Sequence, residues 1–291
     1  MPLYSNNPLE LPLFQFSKLL AYSEVAQAVA TRRGPGKPLF ETAQPAVPDD
    51  YRTAGRGAHN KYEVIYQRRS ELLAAIGLDY TQVQSSLTAP WQHHTANVLV
   101  VGDEAYGAQL NWDKPIDNCD GLVTNRPDLP LMTIHADCLP VLFYDPANRV
   151  IGVAHSGWRG TVGKISREVI RLMQAKYGSH PADIIAGIGP GIGPCCYQVG
   201  EPVLSEVATV FGLETARELL PGQPDGSIHF DLWQAIYLTL LEAGLSPSNI
   251  EQSQTCTRCH ISHFFSYRAT PAEERHNYGQ FVALICLRSG L

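Results

Sequence analysis

Cys138 and His155 are the two residues in this sequence whose spacing most suggests shared chemistry. Each lies at the end of a strand-like apolar run, and a short turn at residues 145–148 separates the two runs. An antiparallel hairpin with strands of matched length brings the start of one strand opposite the end of the other. We therefore expect the thiol and the imidazole to converge. They could bind a metal ion, act as nucleophile and base, or simply pack in the core.

A metal site at this hairpin needs a third ligand, and His93 and His94 are the clustered histidines upstream of it. Both come just before the apolar run NVLVV, so a second strand end could supply one imidazole. Zinc with three protein ligands is typical of catalytic sites, because the open position takes a water whose pKa the metal lowers to about 7. The spacing predicts such a site without excluding the two alternatives.

Four further cysteines form two pairs. Cys195 and Cys196 are adjacent at the end of a glycine-rich segment, where packing is the expected role and redox chemistry the lesser alternative. Cys256 and Cys259 belong to a C-x-x-C-H motif, which also occurs in covalent haem attachment and in redox or zinc sites. We do not predict haem, because the chain shows no export signal. We expect a structural cysteine pair.

Arginine side chains could supply an anion site. Arg159 follows His155 by four residues and lies at the predicted start of a helix, where backbone N–H groups also favour anions. It could hold phosphate next to the metal. Arg69 is placed on the solvent-facing side of a predicted helix from Asn60 to Gly77, and Arg268 lies in the motif FFSYR.

The elements that must position these residues alternate between strands and helices. Short β-rich runs begin at Asn97, and a helix capped by Thr161 is predicted to end at Gly178. This order predicts an α/β protein. We expect residues 1–59 to be an irregular segment packed on the core. Residues 60–291 should form the remainder of a single structural domain.

Composition narrows the function classes. The 291 residues are 44% hydrophobic and 17% charged, which suits a folded enzyme-like domain. The net charge of −6 argues against nucleic acid or an anionic membrane as partner. No apolar run approaches the roughly 18 residues of a membrane helix, and no secretory signal is evident. We expect a cytosolic protein with reduced thiols, of undetermined oligomeric state.

Six motifs occur here in an order that is found in a known family. They are QHH at Gln92–His94, DGLVT at Asp120–Thr124, ADCLPVLFYDP at Ala136–Pro146, GVAHSGWRGTVGKI at Gly152–Ile165, IGPGIGPCCYQVG at Ile188–Gly200 and FFSYR at Phe264–Arg268. Together they resemble the YfiH-type family, which is described as multicopper polyphenol oxidoreductases or laccase-domain proteins and also as peptidoglycan editing factors. The resemblance covers the chain from about residue 60 onward. It implies a mixed α+β sandwich in which mixed β-sheets are flanked by helices.

The resemblance implies a zinc ion held by two histidines and a cysteine, which here are His94, Cys138 and His155. The family pattern Gln-x-His-Gly-Thr puts His94 in the ligand position and His93 in a variable one, with Thr95 where glycine is usual. His93 is the alternative ligand. Copper is the metal in the older family label. Laccase chemistry needs several copper ions, so a single Cys/His/His set favours zinc.

The resemblance also implies activity on purine nucleosides. The expected reactions are phosphorolysis of adenosine, inosine or methylthioadenosine to base and sugar 1-phosphate, and deamination of adenosine to inosine. We expect Cys138, His155 and Arg159 to be catalytic residues. Arg69 and Arg268, together with Arg159, should bind phosphate or substrate.

Two other functions remain open from the sequence. The first is a cytosolic peptidoglycan-precursor editing hydrolase that uses the same zinc or a Cys138/His155 dyad. The second is a non-catalytic zinc-binding module. Structural zinc normally has four protein ligands, and the motifs here supply only three candidate ligands for this site. An ordered fourth ligand would favour this second function.

Overall fold

The computed structural model describes residues 13–32, 69–83, 86–102 and 116–289. The strands are β1 Leu13–Phe14, β2 Val25–Ala30, β3 Val98–Val100, β4 Gly121–Thr124, β5 Leu131–His135, β6 Leu139–Asp145, β7 Val150–Ser156, β8 Ile185–Ile188, β9 Gln198–Val199, β10 Ile228–His229, β11 Ile250–Gln252 and β12 Phe281–Leu287. The helices are α1 Ser17–Leu20, α2 with described residues 69–75, α3 Tyr80–Val83, α4 Trp158–Val162, α5 Ile165–Tyr177, α6 Glu201–Phe211, α7 Leu213–Leu219 and α8 Leu232–Glu242. Short 3₁₀ helices lie at Pro181–Asp183, Pro247–Asn249 and Ala272–Asn277.

A six-stranded mixed sheet carries most of the predicted motifs. Its strand order is β11-β8-β6-β7-β4-β3, with antiparallel pairs in the middle and one parallel pair at each edge. Strands β6 and β7 form the hairpin predicted from the sequence, with Pro140 opposite His155. The turn is held by the Asp145 carboxylate, which accepts hydrogen bonds from the backbone N–H groups of Ala147 and Asn148.

A four-stranded antiparallel sheet, ordered β1-β2-β12-β5, packs on one face of the six-stranded sheet. Three residues, 136–138, connect β5 of the smaller sheet to β6 of the larger one. Cys138 therefore lies where the chain crosses between the sheets. This crossing brings residues of both sheets to one edge of the molecule.

Three apolar clusters define the layers. Helices α5 and α8 pack on one face of the six-stranded sheet, and the two sheets enclose a second cluster between them. The described part of α2 covers the remaining face of the four-stranded sheet through Leu72 and Leu73. The α/β fold class with mixed sheets and flanking helices is thus confirmed. Among the described helices, none is long and apolar enough to cross a membrane.

Part of the N-terminal segment is regular, contrary to the expectation for residues 1–59. Residues 13–32 contain β1, α1 and β2, and all six residues of β2 are buried. The sequence of β2, VAQAVA, lacks the dense β-branched pattern that identifies a strand, so the surrounding sheet determines its conformation. Residues 1–12 and 33–59 lie outside the described residues.

Two helices end where the sequence predicts, but one of them begins at a different residue. The helix expected from Asn60 does end at Gly77, which has a positive φ of 73°, whereas its start lies outside the described residues. Thr161 does not begin the next helix. It lies inside α4, and Lys164, at φ 60°, separates α4 from α5. Helix α5 ends at Gly178 as predicted, and Gly178 has a left-handed φ of 73°.

Candidate metal centre and active-site cleft

The structure brings His94, Cys138 and His155 together. One ligand atom from each side chain lies within 4.8 Å of the others, and the two imidazole rings are 4.9 Å apart between centroids. His155 belongs to β7, Cys138 precedes β6, and His94 lies in the loop before β3. This loop is held at Gln92, whose side-chain amide bonds both the N–H and the C=O of Ile134 at 2.8 Å.

Asp120 joins this group, although our sequence predictions assign it no role. Its buried carboxylate accepts hydrogen bonds from the backbone N–H groups of His93, His94 and Thr95 at 3.1, 3.0 and 2.8 Å. It also accepts the Nδ1 proton of His155 at 2.8 Å. Burial raises the pKa of Asp120, but the hydrogen bonds from His155 and Thr95 and the charge of His155 outweigh it and lower the pKa to about 2. The ionised carboxylate thus fixes the histidine loop and leaves Nε2 of His155 available as a ligand.

Asp120 reaches His155 through the register of the sheet. Strand β4 pairs with β7 so that Gly121 lies opposite Ala154, which places the preceding Asp120 beside His155. The backbone N–H of His155 donates to the Asp120 carbonyl at 2.8 Å. The sequence signal for this role is the position of Asp120 directly before the apolar run GLVT, because an aspartate that is buried at a strand end needs hydrogen-bond partners.

The charges of Cys138 and His155 depend on each other. Burial alone would raise the pKa of the Cys138 thiol, but the nearby imidazoles of His155 and His94 lower it below its usual value. Burial alone would lower the pKa of His155, but the Cys138 thiolate and the Asp120 carboxylate raise it. The site therefore favours the thiolate, which is the form of cysteine that binds metal ions.

Gly157 and His135 both lie against Cys138. Gly157 approaches so closely that a β-carbon there would lie 2.9 Å from Sγ of Cys138 and 3.0 Å from Cδ2 of His94. His135 is buried, and its Nδ1–H donates to the Cys138 carbonyl at 3.1 Å while its Nε2 accepts the hydroxyl of Thr133 at 2.8 Å. Burial keeps the pKa of His135 well below its usual value, so the ring is neutral.

His93, the alternative ligand, points elsewhere. Its Nε2 lies 2.8 Å from the carboxylate of Asp117, and both side chains are at least half exposed. The structure therefore groups His94, and not His93, with Cys138 and His155.

Two adjoining cavities of about 430 and 440 Å³ meet at this group and together form a cleft. They share four lining residues: His94, Ala136, Cys138 and Tyr278. The glutamine half is lined also by Gln92 and Gln280. The arginine half is lined also by the following side chains: Trp158, Arg159, Tyr197, Tyr267 and Arg268. Each volume lies within the range of small-molecule sites.

Arg159 and Arg268 both line the arginine half of the cleft. The guanidinium of Arg159 stacks on the Trp158 ring, 4.3 Å from its centroid. The guanidinium of Arg268 lies 5.2 Å from the centroid of Tyr197 and donates to the carbonyl of Gln198 at 2.8 Å. These contacts hold two cations on the wall of the cleft.

Arg69 is not brought to the cleft and lines neither half. It is 3% exposed in the described part of α2. It precedes Leu72 and Leu73 by three and four residues, so all three share the helix face that packs on the four-stranded sheet. The expectation that Arg69 lies on the opposite, solvent-facing side of this helix was wrong.

The two cysteine pairs form one group, although the sequence predicts no contact between them. One Sγ atom from each of Cys195, Cys196, Cys256 and Cys259 lies within 4.8 Å of the other three. All four thiols are free of disulfides. The sequence pattern alone could not join pairs that are sixty residues apart along the chain.

A layered α/β fold with a Cys/His group in an arginine-bearing cleft defines a metal-associated enzyme domain. The sequence profile of the multi-copper polyphenol oxidoreductase laccase family matches residues 48–288, and the chain belongs to this family. The expected membership of the YfiH-type family is thereby confirmed.

Several relatives are similar over most of the chain. A purine nucleoside phosphorylase from Bacteroides thetaiotaomicron is 30% identical over 254 residues, which span 87% of this chain and 89% of that protein. Adenosine deaminase RL5, from an unknown prokaryotic organism, is 33% identical over 70% of this chain and 76% of its own length. The crystal structure of YlmD from Geobacillus stearothermophilus superposes with a TM-score of 0.77 at 26% identity, covering 99% of this chain and 100% of that chain.

Proposed function

We propose that this protein is a zinc-dependent purine nucleoside enzyme. It would cleave adenosine, inosine or methylthioadenosine with phosphate to give base and sugar 1-phosphate, and it would deaminate adenosine to inosine. One observation supports this most strongly: the His94–Cys138–His155 group lies where the two halves of the cleft meet, and one half carries Arg159 and Arg268. The names of the relatives favour the same two reactions.

Zinc fits the donor set better than a multi-copper cluster does. One thiolate and two imidazoles within 4.8 Å suit zinc, and the Asp120–His155 hydrogen bond is the support that zinc-binding histidines usually have. When bound, zinc would supply Lewis-acid activation of a water for attack on C6 of adenine. Reduction of oxygen by laccase chemistry needs several copper ions near one another. Within the described residues, the second group contains cysteines and no histidine.

The side chains of this protein would position the two substrates. Arg159 and Arg268 would bind phosphate, because guanidinium groups form paired hydrogen bonds with its oxygens. Stacking on Trp158 and Tyr197 restricts both guanidinium groups before phosphate arrives, which lowers the entropic cost of binding. Tyr278 lines both halves of the cleft and could contact a purine that spans them.

Products formed from adenosine with and without phosphate test this proposal. We expect inosine in both conditions and adenine only when phosphate is present. The Arg159→Ala variant should raise the KM for phosphate at least tenfold and leave deamination much less affected. Arg171→Ala is the matched control, because Arg171 is exposed on α5 and pairs with Glu168.

Two outcomes would contradict the proposal. Adenine formation without phosphate would indicate hydrolysis in place of phosphorolysis. One bound zinc per chain with no turnover of any of the three nucleosides would favour the peptidoglycan-precursor hydrolase.

A further inference from the structure

Four thiols outside the cleft have the spacing of a metal site. The Sγ atom of Cys259 lies 3.6 Å from that of Cys195 and 3.4 Å from that of Cys196. A disulfide needs about 2.05 Å between sulfurs, so these contacts are too long for one. Zinc–sulfur bonds of about 2.3 Å in a tetrahedron put the sulfurs about 3.8 Å apart. The observed separations are close to this value.

The topology of the six-stranded sheet creates this cluster. Strands β8 and β11 are parallel neighbours, so the loops that follow them leave from the same edge of the sheet. The two loops then pair directly: the N–H of Gly191 donates to the Thr255 carbonyl, and the N–H of Thr257 donates to the Gly191 carbonyl, both at 3.2 Å. Each loop carries one cysteine pair, and the fold places the pairs face to face.

The surroundings provide a backbone hydrogen-bond donor to one of the four sulfurs. The N–H of Gly193 donates to Sγ of Cys256 at 3.3 Å, as backbone amides do for metal-bound thiolates. A divalent cation would offset the repulsion among four thiolates.

We propose that Cys195, Cys196, Cys256 and Cys259 bind a structural zinc ion, distinct from the centre at His94, Cys138 and His155. Four protein thiolates complete the tetrahedral shell, which leaves no position for substrate and makes the site structural. On binding, each thiol releases its proton to solvent and no electron is transferred. This site does not depend on the proposed nucleoside chemistry.

The ion would stabilise one wall of the cleft. The first loop continues to Tyr197 in the arginine half, and its Ile192 N–H donates to the Asp137 carbonyl at 2.7 Å. In the second loop, the Thr257 hydroxyl donates to the Asp137 carboxylate at 2.6 Å. That carboxylate also accepts the backbone N–H of Arg268 at 2.7 Å. Zinc that joins the loops would therefore hold the Arg268 wall in place.

Elemental analysis of full-length protein, purified under reducing conditions from zinc-supplemented cells, tests the site. We expect Cys259→Ser to contain one zinc per chain less than the wild type. Cys259→His should keep the zinc, since imidazole can replace one thiolate. Cys286→Ala is the matched control, because Cys286 is a buried cysteine of β12, in the four-stranded sheet, and donates to the Leu287 carbonyl.

Cobalt provides a second readout. In a Cys138→Ala background, the cobalt-loaded protein should show thiolate-to-metal charge-transfer absorption, and adding Cys259→Ser should abolish it. The difference in zinc content between the wild type and Cys259→Ser does not depend on which metal occupies the other centre. Failure of the structural zinc site can therefore be distinguished from failure of the proposed nucleoside activity.

Three results would overturn the structural zinc site. The first is equal zinc content in the wild type and in folded Cys259→Ser. The second is iron in place of zinc at the same stoichiometry. The third is a metal-free wild-type protein whose mass is lower by two hydrogens per disulfide within this cluster.

Discussion

Asp120 shows how much of the candidate site depends on a single buried carboxylate. It accepts hydrogen bonds from three consecutive backbone N–H groups of the loop at residues 93–95, from the hydroxyl of Thr95 and from Nδ1 of His155. Thr95, where glycine is usual in the family, thus contributes a hydrogen bond that glycine could not make. Asp120 therefore orients the side chain of His155 and fixes the conformation of the loop that carries His94, the other proposed histidine ligand.

Replacing this carboxylate by an amide should weaken metal binding. Asp120→Asn keeps the size of the side chain but cannot accept all of these hydrogen bonds, so zinc affinity should fall by about 10–100-fold. Competition with a chromophoric chelator measures this change. Asp117→Asn is the control, because Asp117 is exposed and contacts only the ring of His93 among the hydrogen bonds described. An unchanged affinity in folded Asp120→Asn would contradict the role assigned to Asp120.

Gly157 provides a steric test of the same centre. A β-carbon there would lie 2.9 Å from Cys138 Sγ, so Gly157→Ala should displace ligands and lower zinc content and turnover together. Gly200→Ala is the matched control, because nothing lies within 4 Å of a β-carbon at Gly200. Metal analysis of both variants decides the point, and full zinc in Gly157→Ala would contradict the close packing described.

The pKa of Cys138 predicts its reactivity towards alkylating reagents. Its pKa is lowered by His155 and His94, so in metal-stripped protein the thiolate should persist at pH 7, below the usual thiol pKa of about 8.5. Burial raises the pKa of Cys119 to about 11, and this thiol should stay unmodified. Peptide mapping after iodoacetamide treatment between pH 5 and 9 measures both. A Cys138 rate that rises only above pH 8.5, or that zinc does not suppress, would contradict the prediction.

At the scale of elements, the sequence predicted those parts of the fold that depend on local signals. The β6–β7 hairpin was predictable because Asp145 and the residues after it form a turn between two apolar runs. Strand β2 was not, because VAQAVA becomes a strand only between β1 and β12. Arg69 was misplaced for a related reason, since the helix face that is buried depends on the sheet beneath it.

Phe16 tests whether the N-terminal segment belongs to the core. It is fully buried, and a β-carbon at Gly187 of β8 would lie 2.6 Å from its ring. Phe16→Ala should therefore lower the free energy of unfolding by about 3–5 kcal/mol. Leu20→Ala, in the adjacent helix but 52% exposed, should change it by less than about 0.5 kcal/mol. Urea denaturation measures both, and similar small effects would contradict the packing of this segment.

At the scale of the whole molecule, the site forms where the chain passes from one sheet to the other. Cys138 lies at the passage from the four-stranded to the six-stranded sheet, and Asp137 beside it binds loops that follow β8 and β11. The sequence could indicate that Cys138 and His155 meet, because one hairpin joins them. It could not show that Cys195 and Cys256 are neighbours, since that contact requires the parallel pairing of β8 with β11.

The most direct test of the central claim compares His94→Ala with His93→Ala in metal content and in phosphorolysis of adenosine. The two histidines are adjacent, but only His94 lies with Cys138 and His155, whereas His93 faces Asp117. We predict that His94→Ala loses one zinc per chain and at least a hundredfold in kcat/KM, while His93→Ala keeps its zinc and most of its activity. Loss of zinc and turnover in His93→Ala alone, or full turnover in zinc-depleted His94→Ala, would contradict the account.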